Sequence, residues 1–360
     1  MSPRGKLTVA ITGMNARADN PGPGLAVARC LRESGRSGLK IVGLSYDALD
    51  PGLYHPFCDS TYLLPYPSAG QEALRDRLLW IHEQEGFDVL IPCLDAELSS
   101  MVALEEELAK VGIRTFLPTE HQLQMRDKSR LSELAATAHV PYPETRPVTH
   151  AGFFYTCAQQ GWGYPLVVKG PFYDAQIVRD PDDAAHAFRR ISAAWGLPIL
   201  VQRLIRGEEY NLTAIGDGEG HLIGTVMMKK RALTDKGKAW AGICVFDQAL
   251  QDTADALAKA LRWRGPLEVE VMRDLSGRYH LIEINPRFPA WVYLSAGVGR
   301  NLPALLLARL MGEDYGALPG PSLGTMFIRY AEEVIVPMEE FQNMMILGAS
   351  ARTEENRRDA

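Results

Sequence analysis

The stretch Glu268-Val-Glu270, followed by Asp274-Leu-Ser-Gly277 and then by Leu281-Ile-Glu283-Ile-Asn285-Pro-Arg287, decides how this chain is read. Both flanks alternate apolar with polar residues, the period of a half-buried strand, and the Asp/Ser/Gly cluster between them marks a turn. A two-residue turn at Ser276-Gly277 sets Glu270 opposite Glu283 and Glu268 opposite Asn285. A four-residue turn slides the pairing by two and keeps the same side chains together, because sheet faces alternate with period two. Carboxylates facing one another across a ladder repel, so two glutamates and an amide oxygen on one face call for a counter-cation. Hard oxygen donors select Mg²⁺ or Mn²⁺, and magnesium usually bridges one or two carboxylates to substrate phosphates. The companion ligand expected is a nucleotide polyphosphate. The plainer alternative is an exposed strand that simply carries glutamate.

The rest of the composition narrows the field. With 360 residues and roughly 150 per domain, the chain has room for two to three domains whose cores need no disulfide staples. Lys and Arg number 38 against 44 Asp and Glu, a net charge of −6 without a run of like charges; nothing here is built to coat nucleic acid or an anionic membrane. The apolar stretch Leu302 to Met311 is broken by Pro303 and Arg309 and falls far short of the ~18 residues of a bilayer span. Lys6 is followed only by Leu7 to Met14 before polar Asn15, Arg17 and Asp19, which reads as a first strand and not as an export signal. The five cysteines, Cys30, Cys58, Cys93, Cys157 and Cys244, form neither a CxxC motif nor a disulfide framework, so the expected location is the cytoplasm. The histidines show no ligand spacing and no nucleophile elbow is present, which sets aside zinc and hydrolase readings.

Along the chain, apolar runs at Leu7–Gly13, Lys40–Leu44, Tyr62–Leu64 and Asp88–Pro92 alternate with helical periods at Gly24–Glu33, Glu72–Gln84 and Glu97–Lys110. A strand at Ile113–Leu117 completes a small open parallel sheet. The loop Asn20-Pro-Gly-Pro-Gly24 has Val27 where the third glycine of a dinucleotide loop belongs, so a Pro/Gly turn that starts a helix is the simpler account. Thr119–Ala138 reads as one or two helices, and Pro141, Pro143 and Pro147 lead into an α+β unit of mostly antiparallel strands. A helix at Gln251–Trp263, the acidic hairpin, a last helix at Leu302–Met311 and a late strand at Thr325–Val336 follow. The fold class expected is α/β followed by α+β. Its limits are 1–118, 119–208 and 209–345, with 346–360 as a flexible tail.

Glu-x-Asn-Pro-Arg at a strand end, preceded by a second acidic strand, resembles the ATP-grasp superfamily, in particular its carbamoyl-phosphate-synthetase-like branch. The resemblance spans Leu7 to about Gly312 and implies a pre-ATP-grasp domain with an open parallel sheet, then two lobes that clasp ATP. It implies Glu270, Glu283 and Asn285 as ligands of Mg²⁺ or Mn²⁺, and Arg287 as the group steadying the transferring phosphoryl. Lys128, in Asp127-Lys-Ser-Arg130, and Lys169, closing Pro165-Leu-Val-Val-Lys169, resemble the two phosphate-contacting cations, with a cavity expected beside Lys169. Gln202 and the Leu204 backbone match the adenine hinge, and Glu209 matches the acid near the ribose. Arg231 or Lys238, in a basic segment that is otherwise read as solvated, is expected to orient an anionic substrate. The chain departs from the family at Gly170-Pro-Phe-Tyr-Asp-Ala-Gln176, a lid with one glycine, and at Gln202 in place of a frequent glutamate.

Asp95 and Glu97 lie where the carboxyl ends of a parallel sheet face a cleft and could meet a substrate amine, although helix N-capping by Asp95 explains it more simply. Trp162, Trp195, Trp240, Trp263 and Trp291 are expected in lobe packing. The function implied is an ADP-forming carboxylate-amine ligase acting on small molecules, with neither nucleic acid nor membrane as partner and a homodimer as the default assembly. Two rivals stand beside it: a nucleotide-binding regulatory or scaffold protein that kept the fold without transfer, and a bicarbonate- or carbamate-phosphorylating enzyme.

Overall fold

The computed structural model describes residues 6–16, 21–171, 174–234 and 237–351. Expectations placed on Arg17, Asp19 and Asn20, on Phe172 and Tyr173 of the lid, on Asp235 and Lys236, and on residues 352–360 lie outside the described residues.

The first sheet holds β1 (Leu7–Ile11), β2 (Leu39–Ser45), β3 (Ser60–Leu63) and β4 (Val89–Ile91), parallel and ordered β3-β2-β1-β4. Val9, Ala10 and Ile11 are all fully buried, as expected of a parallel strand with cover on both faces. The helix Pro23–Arg32 starts with Pro at its first turn, and Gly24 N donates to Gly13 O at 3.0 Å. A Cβ on Gly24 would lie 2.0 Å from Thr12 O. This glycine therefore serves the close approach of helix and strand, in line with the simpler reading of the loop.

Three expectations shift here. The strand at Ile113–Leu117 is reduced to a single bridge between Val89 and Arg114. The strand at Thr325–Val336 shrinks to Met326–Ile328, paired with Ala241–Ile243; beyond it the Ala239 carbonyl accepts from the Arg329 side chain at 2.9 Å. Leu302–Met311 is not the last helix: Met338–Leu347 follows, with Met344 fully buried, and Ala349–Ala351 pairs antiparallel with β3. The tail expected from residue 346 is thus tied down as far as 351.

The second sheet is antiparallel and comprises β5 (Thr145–Val148), β6 (Leu166–Lys169), β7 (Ala175–Val178) and β8 (Ile199–Arg203), ordered β5-β8-β6-β7. The helix Pro181–Trp195, capped by Asp180, buries Ala184, Phe188 and Ile191 against it with Phe154 and Trp162. Residues 204–206 link it to the third sheet, formed by β9 (Gly207–Asp217), β10 (Leu222–Leu233), β11 (Ala239–Val245), β12 (Arg264–Asp274), β13 (Tyr279–Asn285) and β14 (Met326–Ile328), in the order β13-β12-β9-β10-β11-β14; Ala349–Ala351 is β15. The helix Gln248–Leu261 covers one face of this sheet, where Leu212, Ala214, Leu267, Val269 and Val271 meet Leu250, Ala254 and Leu257. Period two then assigns Asn211, Thr213, Glu268 and Glu270 to the other face.

The acidic hairpin reaches its expected register by an unexpected route. Asp274 N donates to Arg278 O at 2.9 Å, so the turn has three residues, with Gly277 at φ +89°. A three-residue turn alone would shift the partners by one and put Glu270 opposite Ile282. An extra residue on β13, Ile282, restores the pairing of Glu270 with Glu283 and of Glu268 with Asn285, as a β-bulge does. The β9–β10 hairpin carries a similar irregularity at Gly224, φ +61°, after which Met228 lies opposite Asn211 and Lys229 opposite Tyr210.

Candidate active site

Cross-strand register assembles the acidic face from three strands. Glu270 sits between Glu283 on β13 and Asn211 on β9, and Glu268 between Asn285 and Thr213. Glu268 is 4% exposed and accepts from Asn211 Nδ2 at 2.6 Å, Trp291 Nε1 at 2.6 Å and Asn285 Nδ2 at 3.0 Å. Burial, followed by the neighbouring Glu270 charge, raises its pKa. Trp291, expected to serve packing alone, is therefore part of the site.

Asn285 also donates through Nδ2 to Glu270 Oε1 at 2.9 Å, while its Oδ1 faces Arg287 Nη2 at 3.4 Å. In this structure the amide NH₂, and not Oδ1, is turned toward the two carboxylates. Two adjacent carboxylates repel, and the amide NH₂ placed between them relieves that repulsion.

Lys230 is the residue the sequence reading missed. Its Nζ lies 2.8 Å from Glu209 Oε2 and 3.1 Å from Glu270 Oε2, with 9% of the side chain exposed. Burial of Glu270 favours its neutral form, but Lys230 and then Lys238 outweigh it and hold the carboxyl at about 2. The signal was Gly224: a glycine inside a strand marks a bulge, and the shift it introduces selects Lys230 for this face. Lys229 pairs with Glu208 at 2.6 Å and lies over Tyr210.

Lys128 Nζ stands 3.6 Å from Glu283 Oε1. Lys169 ends β6 with its charge in the field of Glu283, Lys128, Glu270 and Glu209; burial lowers its pKa to about 8, with Glu283 opposing the shift. One cavity borders Arg287 and another borders Arg36, and neither of these is lined by Lys169. Lys230 bridges Glu209 and Glu270. Gln202 is buried and donates from Nε2 to Thr145 Oγ1 at 2.8 Å, and Leu204 opens the link to β9.

Arg287 is fixed from the first domain. Its Nε donates to Asp95 Oδ2 at 2.7 Å, Arg126 Nη1 reaches Asp95 Oδ1 at 3.2 Å, and Arg287 Nη1 lies 4.0 Å from Glu268 Oε2. Burial works against the Asp95 carboxylate, yet Arg287 and Arg126 lower its pKa. Asp95 is not the helix cap: Leu94 holds that position, and Glu97 accepts from the Cys93 and Leu94 N–H groups, each at 3.0 Å, and from Thr12 and Tyr46 hydroxyls. Glu97 is saturated within the first domain. Lys238 is exposed, but its charge acts on both Asp95 and Glu270. Arg231, expected beside it, is exposed at an irregularity of β10, and its charge acts on Lys229; the structure does not bring it to the acidic face.

A family described as ATP-grasp in the biosynthetic pathway with Ter operon matches residues 197–332, from the start of β8 to just past β14. Among solved structures, the L-amino acid ligase from Bacillus licheniformis is similar at TM-score 0.63 and 18% identity, over 86% of this chain and 75% of that one. The biotin carboxylase of Campylobacter jejuni, solved as a β-γ-ATP complex, gives 0.65 and 19% over 89% and 74%. N5-carboxyaminoimidazole synthetase from Staphylococcus aureus, solved with ADP, gives 0.63 and 15% over 86% and 79%. An open parallel sheet followed by two antiparallel lobes is shared along most of each chain, so this chain has the fold of these structures, and the segment that is similar to the ATP-grasp family carries the acidic hairpin.

Proposed function

We propose that the protein is an ADP-forming ligase that uses ATP to activate a small-molecule carboxylate as an acyl-phosphate, which an amine then attacks. The observation that carries this reading is the convergence of Lys128, Lys169, Glu209, Glu270 and Glu283 on one side of the third sheet. In the first step a carboxylate oxygen bonds to the γ-phosphorus and ADP leaves. In the second the amine nitrogen bonds to the acyl carbon, phosphate leaves and the nitrogen releases a proton. Neither step needs a nucleophile from the protein.

The donor chemistry fits a magnesium or manganese ion. Glu270 and Glu283 would hold it, and Asn285 would join them through Oδ1 once its amide turns over. Among the described residues no three His, Cys, Asp or Glu side chains are grouped as a metal cage; magnesium is usually held by one or two carboxylates together with water and substrate phosphate. Asn211 Oδ1, buried without a hydrogen-bond partner on the same face, is a further oxygen beside Glu270. Bound there, the ion would neutralise charge on the transferring phosphoryl group.

The chain's own residues supply the rest. Lys128 and Lys169 would contact the polyphosphate, and Gln202 with Leu204 would meet the base. Arg287, held in place by Asp95, would present its remaining N–H groups to developing negative charge, with Lys238 near the anionic substrate. Cytoplasmic residence, a homodimer and the domain limits at 118 and 208 belong to the same proposal; no helix among the described residues is long and apolar enough to cross a membrane.

The test is an ADP-release screen across pairs of amino acids and small acids. Losing such a charge contact costs ~3 kcal/mol or more of barrier, so Glu283→Ala and Arg287→Ala should each lower turnover a hundredfold or more, roughly. Undiminished turnover in either variant would defeat the assignment. Nucleotide binding without substrate-dependent ADP release would favour the regulatory reading, for which the single-glycine lid speaks.

A further inference from the structure

We propose that Lys230 is a resident counter-ion that keeps free divalent metal off Glu270 and gives up its place when a nucleotide polyphosphate enters, so that metal and nucleotide load together. The inference rests on the nucleotide-and-metal reading above and goes beyond it by naming what makes the two bindings interdependent.

Both oxygens of Glu270 already meet donors: Lys230 Nζ lies 3.1 Å from Oε2 and Asn285 Nδ2 lies 2.9 Å from Oε1. Lys230 is anchored a second time, at 2.8 Å, by Glu209 Oε2. A divalent ion arriving alone must therefore displace an ammonium that is already paired, while losing part of its own hydration shell. Exchanging one cation for another gains little. A polyphosphate alters the balance, because it brings several acceptor oxygens and negative charges to which a lysine on a flexible four-carbon stem can turn. Glu270 is then free for an ion that phosphate also holds, and Glu209 is free for the ribose. The bulge at Gly224 makes this arrangement specific, since it turns Lys230 and not Lys229 toward the acidic face.

The experiment measures Mn²⁺ binding by electron paramagnetic resonance, with and without a non-hydrolysable ATP analogue, in the wild type, Lys230→Met and Lys230→Arg. Wild type is expected to bind Mn²⁺ weakly alone and at least about tenfold more tightly with the analogue, a positive coupling. Lys230→Met should bind Mn²⁺ alone at least about tenfold more tightly than wild type, as removal of a contacting unit charge requires, and should lose most of the coupling. Its melting temperature should rise on adding Mn²⁺ alone. Lys230→Arg should behave as wild type.

Equal Mn²⁺ affinity in Lys230→Met and wild type without the analogue, while the analogue still recruits Mn²⁺ to wild type, overturns the inference and leaves the ligase reading standing. Failure of wild type to bind Mn²⁺ even with the analogue overturns both. If Lys230→Met does not fold, Glu209→Gln, which removes one anchor of Lys230, supplies the measurement: tighter Mn²⁺ binding without the analogue supports the inference, and unchanged binding overturns it.

Discussion

Arg287 Nε lies 2.7 Å from Asp95 Oδ2 across 192 positions of sequence, joining the segment after the acidic hairpin to the helix that starts beyond β4. Arg126 holds the other Asp95 oxygen at 3.2 Å. Removing one partner of a largely buried ion pair leaves a charge uncompensated, which costs about 3–5 kcal/mol. Asp95→Ala should therefore lower the unfolding free energy by about 3 kcal/mol in urea denaturation. A double-mutant cycle with Arg287→Ala should show coupling of about 1 kcal/mol or more; simple additivity would mean that the contact does not join the two domains energetically.

Stability and nucleotide affinity are expected to move in opposite directions as the pH rises through about 8. Lys169 has its pKa lowered from 10.5 to about 8 in the folded protein, first by burial. Between these two values the unfolded chain binds more protons than the folded one, so folding stability rises with pH across that window. The phosphate-contacting ammonium is lost over the same window, so affinity for an ATP analogue should fall. In Lys169→Arg, which stays charged, both profiles should flatten. Parallel urea denaturation and analogue titrations from pH 7 to 10 check this; a flat wild-type profile in both would contradict it.

Two glycines should respond differently to alanine. Gly277 has φ +89° and the atom nearest a new Cβ is the end of a flexible side chain, Arg273 Nη2 at 3.6 Å. Gly277→Ala should cost about 1 kcal/mol through backbone strain and leave ADP release intact. At Gly24 a Cβ would fall 2.0 Å from the Thr12 carbonyl oxygen, so helix and strand must separate. Gly24→Ala should cost about 3 kcal/mol or more. Denaturation midpoints that rank the two the other way would refute this account of the first loop.

Glu268 accepts three N–H groups while 4% exposed. Glu268→Gln replaces one acceptor oxygen by an NH₂ that faces donors, and should destabilise the protein by about 1–3 kcal/mol. Calorimetry showing no loss of melting temperature would mean that the three donors are satisfied elsewhere.

The acidic face was legible because strand side chains alternate with period two, yet its expected turn was not the one that forms. Two local departures, the three-residue turn and the extra Ile282, offset one another. Bulges of this kind depend on twist and neighbouring strands, which a local pattern does not carry. The exposed Arg231 and the largely covered Lys230 are adjacent in sequence and alike in charge, so composition alone could not rank them; Gly224, 6 positions before Lys230, held the deciding hint.

By itself, the sequence determined which residues could share a face, where chains of apolar residues had to be covered, and that two carboxylate-bearing strands would meet through a short turn. Those are properties of the backbone period and of side-chain solubility, and they act over a few residues. Only the tertiary structure decided that Lys230 bridges Glu209 and Glu270, that Asp95 and Arg126 hold Arg287, and that Trp291 closes over Glu268. The reason is that a buried charge takes whatever partner the packed elements bring within about 3 Å of it, and that choice is made by folding at long range.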